Sequence, residues 1–186
     1  MKIRKLSERP SEPSEKGVEV HEEVSCTFFM SVSLQYQKSK GMETTMRQTR
    51  GVRNCNPGNI RLTRDRWAGM RGVQTDGAFV QFVDMEHGVR ALLILLRRYY
   101  RSYGLRTVRL IVARYAPASE NDTEAYVGYV ARSLGVSADQ TLPSMDFCGT
   151  MFDEATLFGF CKAVCWMESR YELSEEVFRR GLELCM

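Results

Sequence analysis

The stretch MEHGVRALLILLRRYYRSY, residues 85–103, is the longest helical pattern in this chain. Its apolar side chains recur at steps of three and four residues, as on one face of a helix, and its arginines fall on the other faces. Gly104 follows directly and is a typical helix terminator. Because the apolar face of such a helix needs other helices to cover it, the stretch predicts a helical domain. The apolar positions are Val89, Leu92, Leu93, Leu96, Tyr99, Tyr100 and Tyr103.

Shorter helical patterns follow towards the C-terminus, separated by glycine, proline and polar residues. Asn121 and Glu124 have the spacing of a capping box and predict a helix start. Upstream, residues 79–82 predict a short extended or β segment. The expected fold class is therefore mainly α. The further helices are predicted at about 107–115, from Asn121 to Gly135, at 153–168 and at 174–184.

The N-terminal part of the chain lacks a helical period. Ser, Glu, Pro and Lys dominate its first 23 residues, a composition typical of disorder. We therefore expect residues 1–48 to form a disordered or poorly structured extension and residues 49–186 to form the helical domain. No run approaches the roughly 18 apolar residues of a membrane span. A normal secretory signal is also missing, so we expect synthesis in the cytoplasm and no membrane span.

The composition is that of a globular protein, with 44% hydrophobic and 26% charged residues among 186. This excludes a wholly disordered chain, a collagen-like fibre and a membrane bundle. The net charge of +3 hides an uneven distribution, because residues 42–118 hold 14 basic and 5 acidic side chains and residues 119–186 hold 5 and 12. A basic half attracts anionic polymers such as nucleic acid or cell-wall glycan. Alternatively, the two halves neutralise each other within one fold.

The six cysteines contain no CxxC pair, and Cys161 and Cys165 lie in an apolar helical stretch. Buried reduced thiols are therefore favoured over disulfides. With only two histidines the chain offers little material for a zinc site. A glycine-rich phosphate loop is also missing, so we expect neither a metal nor a cofactor.

Glu168 is the most interesting acid in the sequence. It ends an apolar helical stripe that includes Cys161, Val164 and Cys165. A carboxyl group pressed against apolar side chains has a raised pKa, which a general acid needs near neutral pH. The alternative is a solvated acid in the last turn of a helix.

Other polar residues also have two interpretations. Asn56 and Asn59 flank Pro57 and Gly58, where their amides either serve the turn or line a groove that binds sugar. Tyr126 belongs either to the core or to a substrate site through its hydroxyl.

Residues 50–61, which read RGVRNCNPGNIR, resemble the opening of a family of small bacteriophage and prophage proteins often labelled virion structural proteins. The resemblance continues through Glu86-His87-Gly88-Val89-Arg90-Ala91 and Tyr115-Ala116-Pro117 and covers about residues 50–184. It implies a phage or prophage origin, association with the virion and other virion proteins as partners.

Parts of the same stretch are similar to lytic transglycosylases and glucosaminidases of the lysozyme-like superfamily. Tyr115-Ala116-Pro117 and Thr123-Glu124-Ala125-Tyr126-Val127 resemble two consecutive motifs of those enzymes. Glu168-Ser169-Arg170-Tyr171 resembles the Glu-Ser motif of their catalytic helix, in a circularly permuted order. Permutation is physically reasonable because domain termini often lie close together.

The resemblance implies a lysozyme-like domain that cleaves peptidoglycan glycan strands, as a lytic transglycosylase or as a muramidase or glucosaminidase. Glu168 would be the single general acid and base, with the Tyr126 hydroxyl assisting. A second acid could come from Glu120 or Glu124. The implied substrate-binding residues are Asn56, Asn59, Arg61, Trp67, Tyr115, Glu120 and Asn121.

Two other functions remain open at this point. The virion label of the phage family favours a non-enzymatic structural or binding protein on the same scaffold. Nucleic-acid binding by the arginine-rich half is the weaker alternative, because no named nucleic-acid motif occurs.

Overall fold

The computed structural model describes residues 48–119, 121–149 and 151–186. The prediction of a mainly α fold is confirmed, since helices dominate this part of the chain. None of its helices is long and apolar enough to cross a membrane. The predicted extension, residues 1–48, lies outside the described residues except for Gln48. The helices are α1 Arg50–Arg53, α2 Met85–Ser102, α3 Val108–Tyr115, α4 Thr123–Leu134, α5 Glu154–Ser169 and α6 Glu175–Glu183.

Five of the helices begin at a polar side chain that accepts a hydrogen bond from a backbone N–H three residues further on. The sequence predicts Asn121 as the cap of α4, but Asp122 takes this role because its Oδ1 lies 3.0 Å from the amide nitrogen of Ala125. The α4 helix ends as predicted at Gly135, whose φ of 66° is left-handed. The caps are Asp84 for α2, Thr107 for α3, Asp122 for α4, Asp153 for α5 and Ser174 for α6.

The long helix α2 runs through the core. It packs along α6, while α5 packs against α4 and α4 against α3. Most of the predicted apolar stripe is buried, but Tyr99 is only partly covered and Tyr103 is 44% exposed. The fully buried side chains include Leu92, Leu93 and Leu96 of α2 and Leu157, Phe160 and Cys161 of α5.

The segment between α1 and α2 is built from turns and extended backbone. Residues 79–82 are extended as predicted, yet they pair only through single bridges, from Phe79 to Arg61 and from Phe82 to Met70. Sequence reasoning missed α1, because a helix of four residues is too short to show a period. The segment is nevertheless anchored, since Val80 and Phe82 are fully buried.

Asp76 ties this segment to α1. Its carboxylate accepts two hydrogen bonds from Arg50, at 2.7 and 2.5 Å, and one from Asn54 at 2.7 Å. The backbone amides of Ala78 and Phe79 also donate to it. These donors hold the pKa of Asp76 well below its usual range, with Arg50 the strongest cause. The carboxylate therefore fixes α1 relative to the extended segment.

The five described cysteines are free thiols. Cys161 and Cys165 lie fully buried in α5. Burial raises the pKa of both thiols, so they stay protonated and act as small apolar side chains.

Candidate active site

The C-terminal end of α5, which carries Glu168, is held by side chains from residues 49–60. The last carbonyl groups of a helix lack partners within the helix and need others. Here Thr49 Oγ1 donates to the carbonyl oxygen of Ser169 at 2.7 Å, and Asn59 Nδ2 donates to that of Glu168 at 2.8 Å. In return, Ser169 Oγ donates to the carbonyl oxygen of Pro57 at 2.9 Å. The N-terminal segment thus fixes the position of the last turn.

This docking requires a glycine at position 51. A Cβ atom there would lie 2.6 Å from Ser169 Cβ and 2.9 Å from Asn59 Oδ1, both closer than real contacts allow. The backbone of α1 therefore lies directly against the end of α5. Any larger side chain would push Ser169, and with it the turn of Glu168, away from Asn59.

The carboxyl group of Glu168 is held by one side chain at each oxygen. Asn59 Nδ2 lies 3.2 Å from Oε2, and the Tyr126 hydroxyl donates to Oε1 at 3.2 Å. Asn59 and Glu168 are 109 residues apart in the chain. The turn after α1, helix α4 and helix α5 therefore each supply one residue of this group.

Burial raises the pKa of Glu168 above its ordinary value of 4.5. The hydrogen bonds from Asn59 and Tyr126 and the charge of Arg61 act in the opposite direction, but they do not cancel the effect of burial. A partly buried carboxyl group with a raised pKa holds its proton closer to neutral pH. Glu168 can therefore act as a general acid and, once ionised, as a base.

Glu168 lines a cleft with a volume of about 650 Å³. The cleft combines aromatic rings with amide, guanidinium and carboxyl groups, a mixture that suits a ligand with apolar faces and many hydroxyl groups. Five residues predicted to bind substrate also line it: Asn59, Arg61, Trp67, Tyr115 and Asn121.

Asn56 does not line the cleft, which corrects its prediction as a sugar ligand. Its side chain is fully buried. Nδ2 donates to the carbonyl oxygens of Ile60 and Val80, each at 2.9 Å, and Oδ1 accepts from the amide of Ile60 at 2.9 Å. Its amide stabilises the turn that presents Asn59. Of the two roles considered for Asn56, the structure therefore shows the one in the turn.

The two tyrosines differ in what their hydroxyl groups can do. Tyr126 is only 4% exposed and is not among the residues that line the cleft, so it orients Glu168 rather than contacting a ligand. Tyr115 lines the cleft, but its hydroxyl donates to the carbonyl oxygen of Gly58. Burial raises the pKa of both hydroxyls, so both remain protonated.

The two acids expected as a second carboxylate do not provide one within the described cleft. The side chain of Glu124 is 75% exposed and contacts Arg109 at 2.6 Å, away from the cleft lining. Glu120 lies outside the described residues. The cleft instead contains Asp65, whose carboxylate accepts from Thr63 Oγ1 at 2.9 Å.

Sequence reasoning missed Thr63 and Asp65 as cleft residues. Both lie in an irregular segment where no period indicates which side chains share a face. Their closeness to Arg61 in the chain was the only signal that could have found them.

No group of three or more side chains suited to a metal ion occurs in the part of the chain that the structure describes.

Comparison with known proteins gives a phage relative. No family model matches the chain. Protein P5 of Pseudoalteromonas phage PM2 is 42% identical to it over 96 residues, which make up 50% of this chain and 60% of that protein. A phage protein is therefore a homologue of this chain. The match spans less than two thirds of protein P5, and the name of that protein specifies no activity.

Proposed function

We propose that this protein cleaves the glycan strands of peptidoglycan, with Glu168 as the single general acid and base. One observation carries the proposal: a partly buried carboxyl group with a raised pKa, held by Asn59 and Tyr126, lines a cleft with aromatic and polar walls.

The chemistry begins with protonated Glu168. It donates its proton to the glycosidic oxygen while the bond from that oxygen to the sugar carbon breaks. The carboxylate left behind is stabilised by the charge of Arg61 and the donors on Asn59 and Tyr126. It then accepts a proton from the attacking hydroxyl, which belongs to water in a hydrolase or to the sugar itself in a lytic transglycosylase. Glu168 is thereby reprotonated for the next cycle.

The surrounding residues divide between orienting the acid and holding the glycan. Asn59 and Tyr126 contact Glu168 directly and act as positioning residues. Trp67 offers a ring for the apolar face of a sugar. Arg61 and Asn121 supply donors along the same cleft for its hydroxyl and carbonyl groups.

The lysozyme-like scaffold in permuted order is part of the proposal. The position of Glu168 supports it, because this acid lies at the C-terminal end of α5, and that helix end docks on residues 49–60 from the other end of the described domain. The phage homologue supports the proposed phage or prophage origin and is compatible with virion association.

Digestion of purified peptidoglycan tests the proposal. Glu168→Gln keeps the size of the side chain but removes its acidity and replaces one acceptor oxygen with an NH₂ donor, and we expect it to lower activity by about 10²–10⁴-fold. Glu183→Gln, at an exposed position at the end of α6, is the matched control and should retain activity. Mass spectrometry of the products distinguishes an anhydro-sugar end from a reducing end.

The second candidate is a non-enzymatic phage structural or binding protein. The phage homologue is compatible with it. Folded wild-type protein that sediments with peptidoglycan but releases no fragments would support this candidate and contradict the first. Cleavage that survives Glu168→Gln would keep the enzyme but remove Glu168 from the assigned role.

A further inference from the structure

One wall of the cleft continues into a cluster of aromatic rings at the end of α2. Tyr99 lines the cleft, and its ring centroid lies 6.0 Å from that of Tyr103. Tyr103 belongs to the apolar stripe of α2 but is 44% exposed. The core therefore does not use this ring fully, and its outer part is open to a ligand that leaves the cleft along this wall.

Two exposed arginines lie over these rings. The guanidinium carbon of Arg114, on α3, is 4.6 Å from the ring centroid of Tyr103 and 5.8 Å from that of Tyr99. The guanidinium carbon of Arg98, on α2, is 5.7 Å from the Tyr103 centroid. A guanidinium held by a ring keeps N–H groups at its edge, which suit a carboxylate or phosphate.

Neither arginine forms an ion pair with a carboxylate of the described residues, whereas arginines on the same two helices do. Arg97 of α2 and Arg109 of α3 each have a carboxylate oxygen at 2.6 Å. The charges of Arg98 and Arg114 are thus not compensated by a described acidic side chain. An anion arriving at this edge of the cleft would meet two cations already held in place by Tyr99 and Tyr103.

We propose that Arg98 and Arg114 bind a carboxylate of the peptide stem that peptidoglycan carries, an inference that rests on the proposed function. The stems attach to sugars of the strand and bear its carboxylates, so a sugar bound near Glu168 brings such a group to the edge of the cleft. Tyr99 connects the two regions, since it lines the cleft and contacts Arg114. The protein therefore acts on strands that still carry their stems in preference to bare strands.

Two substrates test this preference in the wild-type protein. Isolated glycan strands are compared with the same strands after an amidase has removed their stems, and kcat/KM is measured from product release. We expect kcat/KM to be about tenfold higher for stem-bearing strands, because charge-assisted hydrogen bonds are the stronger kind. Equal kcat/KM for the two substrates would overturn the inference but leave the proposed function intact.

A double variant assigns the preference to the two arginines. Arg98→Gln/Arg114→Gln should bring the ratio of the two kcat/KM values close to one. The matched control Arg179→Gln/Arg180→Gln removes the same charge from exposed positions of α6 and should keep the wild-type ratio. An unchanged ratio in the first double variant would contradict the inference, and thermal unfolding checks that both variants fold.

Binding measurements separate this inference from the proposed function. If neither substrate is cleaved, the proposed function fails, but sedimentation still reports whether stem-bearing strands bind more tightly than bare strands through these arginines. A competition experiment, in which a single-stranded oligonucleotide displaces stem-bearing strands, tests whether the two arginines bind nucleic acid instead. The inference would be overturned in favour of nucleic acid if the oligonucleotide binds more tightly than stem-bearing strands and if Arg98→Gln/Arg114→Gln abolishes this tighter binding.

Discussion

Asn59 contacts Glu168 twice through one side-chain nitrogen. Its Nδ2 lies 2.8 Å from the carbonyl oxygen of Glu168 and 3.2 Å from Oε2 of the carboxyl group. The amide therefore fixes both the helix end and the acid. Asn59 Oδ1 is buried and has no hydrogen-bond partner among the described residues. Nδ2 is therefore the atom through which Asn59 orients Glu168.

Asn59→Ala should shift the pH dependence of activity. The amide lowers the pKa of Glu168, so its removal raises that pKa further. Because the general acid must be protonated, activity falls as the pH rises through its pKa, and this alkaline limb should move to higher pH. The pH profile of kcat/KM measures the shift. Asn121→Ala is the control, because Asn121 lines the cleft but does not contribute to the pKa shift of Glu168. An identical shift of the alkaline limb in both variants would contradict the role of Asn59.

The Tm difference between Glu168→Gln and the wild type should depend on pH. The pKa of Glu168 is raised in the folded state, so between its ordinary value of 4.5 and its folded value the folded chain binds more protons than the unfolded chain. The stability of the wild type therefore falls as the pH rises through this window. A neutral glutamine does not titrate, so the Tm of the variant relative to the wild type should increase across it. A Tm difference that stays constant from about pH 4 to pH 8 would show that the pKa is not raised.

Gly51→Ala should loosen the candidate site. The added Cβ would lie 2.6 Å from Ser169 Cβ, and Ser169 is buried. Overpacking of this kind costs about 1–3 kcal/mol, and we expect activity to fall with it because the turn carrying Glu168 moves. Thermal unfolding and digestion rates measure the two effects. Gly72→Ala is the control, because no atom lies within 4 Å of the corresponding Cβ.

Asp65→Asn distinguishes a site with one carboxylate from a site with two. Asp65 is exposed, lines the cleft and accepts a hydrogen bond from Thr63 at 2.9 Å. If Glu168 alone handles the protons, the variant should keep activity within about tenfold of the wild type, far above Glu168→Gln. A loss as large as that of Glu168→Gln would instead assign Asp65 a role in catalysis.

Much of the helical architecture could be predicted from local signals. The boundaries of α2 follow from its apolar period and from Gly104, and the end of α4 follows from Gly135. The local pattern predicts the cap of α4 one residue too early, at Asn121, because side chains that favour capping stand at both Asn121 and Asp122. Only the backbone geometry selects the one that reaches the amide of Ala125.

The candidate site was less accessible from the sequence. The apolar stripe that Glu168 ends indicates this acid, and the asparagine-rich turn indicates Asn59. Asn56 stands three residues earlier in the same turn, yet its amide points to the backbone of Ile60 and Val80 instead of the cleft. A side chain's direction in an irregular segment depends on partners far away in the chain, which no periodic pattern records.

Local sequence patterns predict helices α2 to α6 and the apolar faces of α2 and α5, because these depend on residues three or four positions apart. The sequence also carries the resemblance to phage proteins. Tertiary packing sets which residues meet Glu168, which side chains share its cleft and which arginines are left without a described acidic partner. Those properties arise from contacts across up to 120 residues, as between Thr49 and Ser169, and such contacts exist only once the helices have packed.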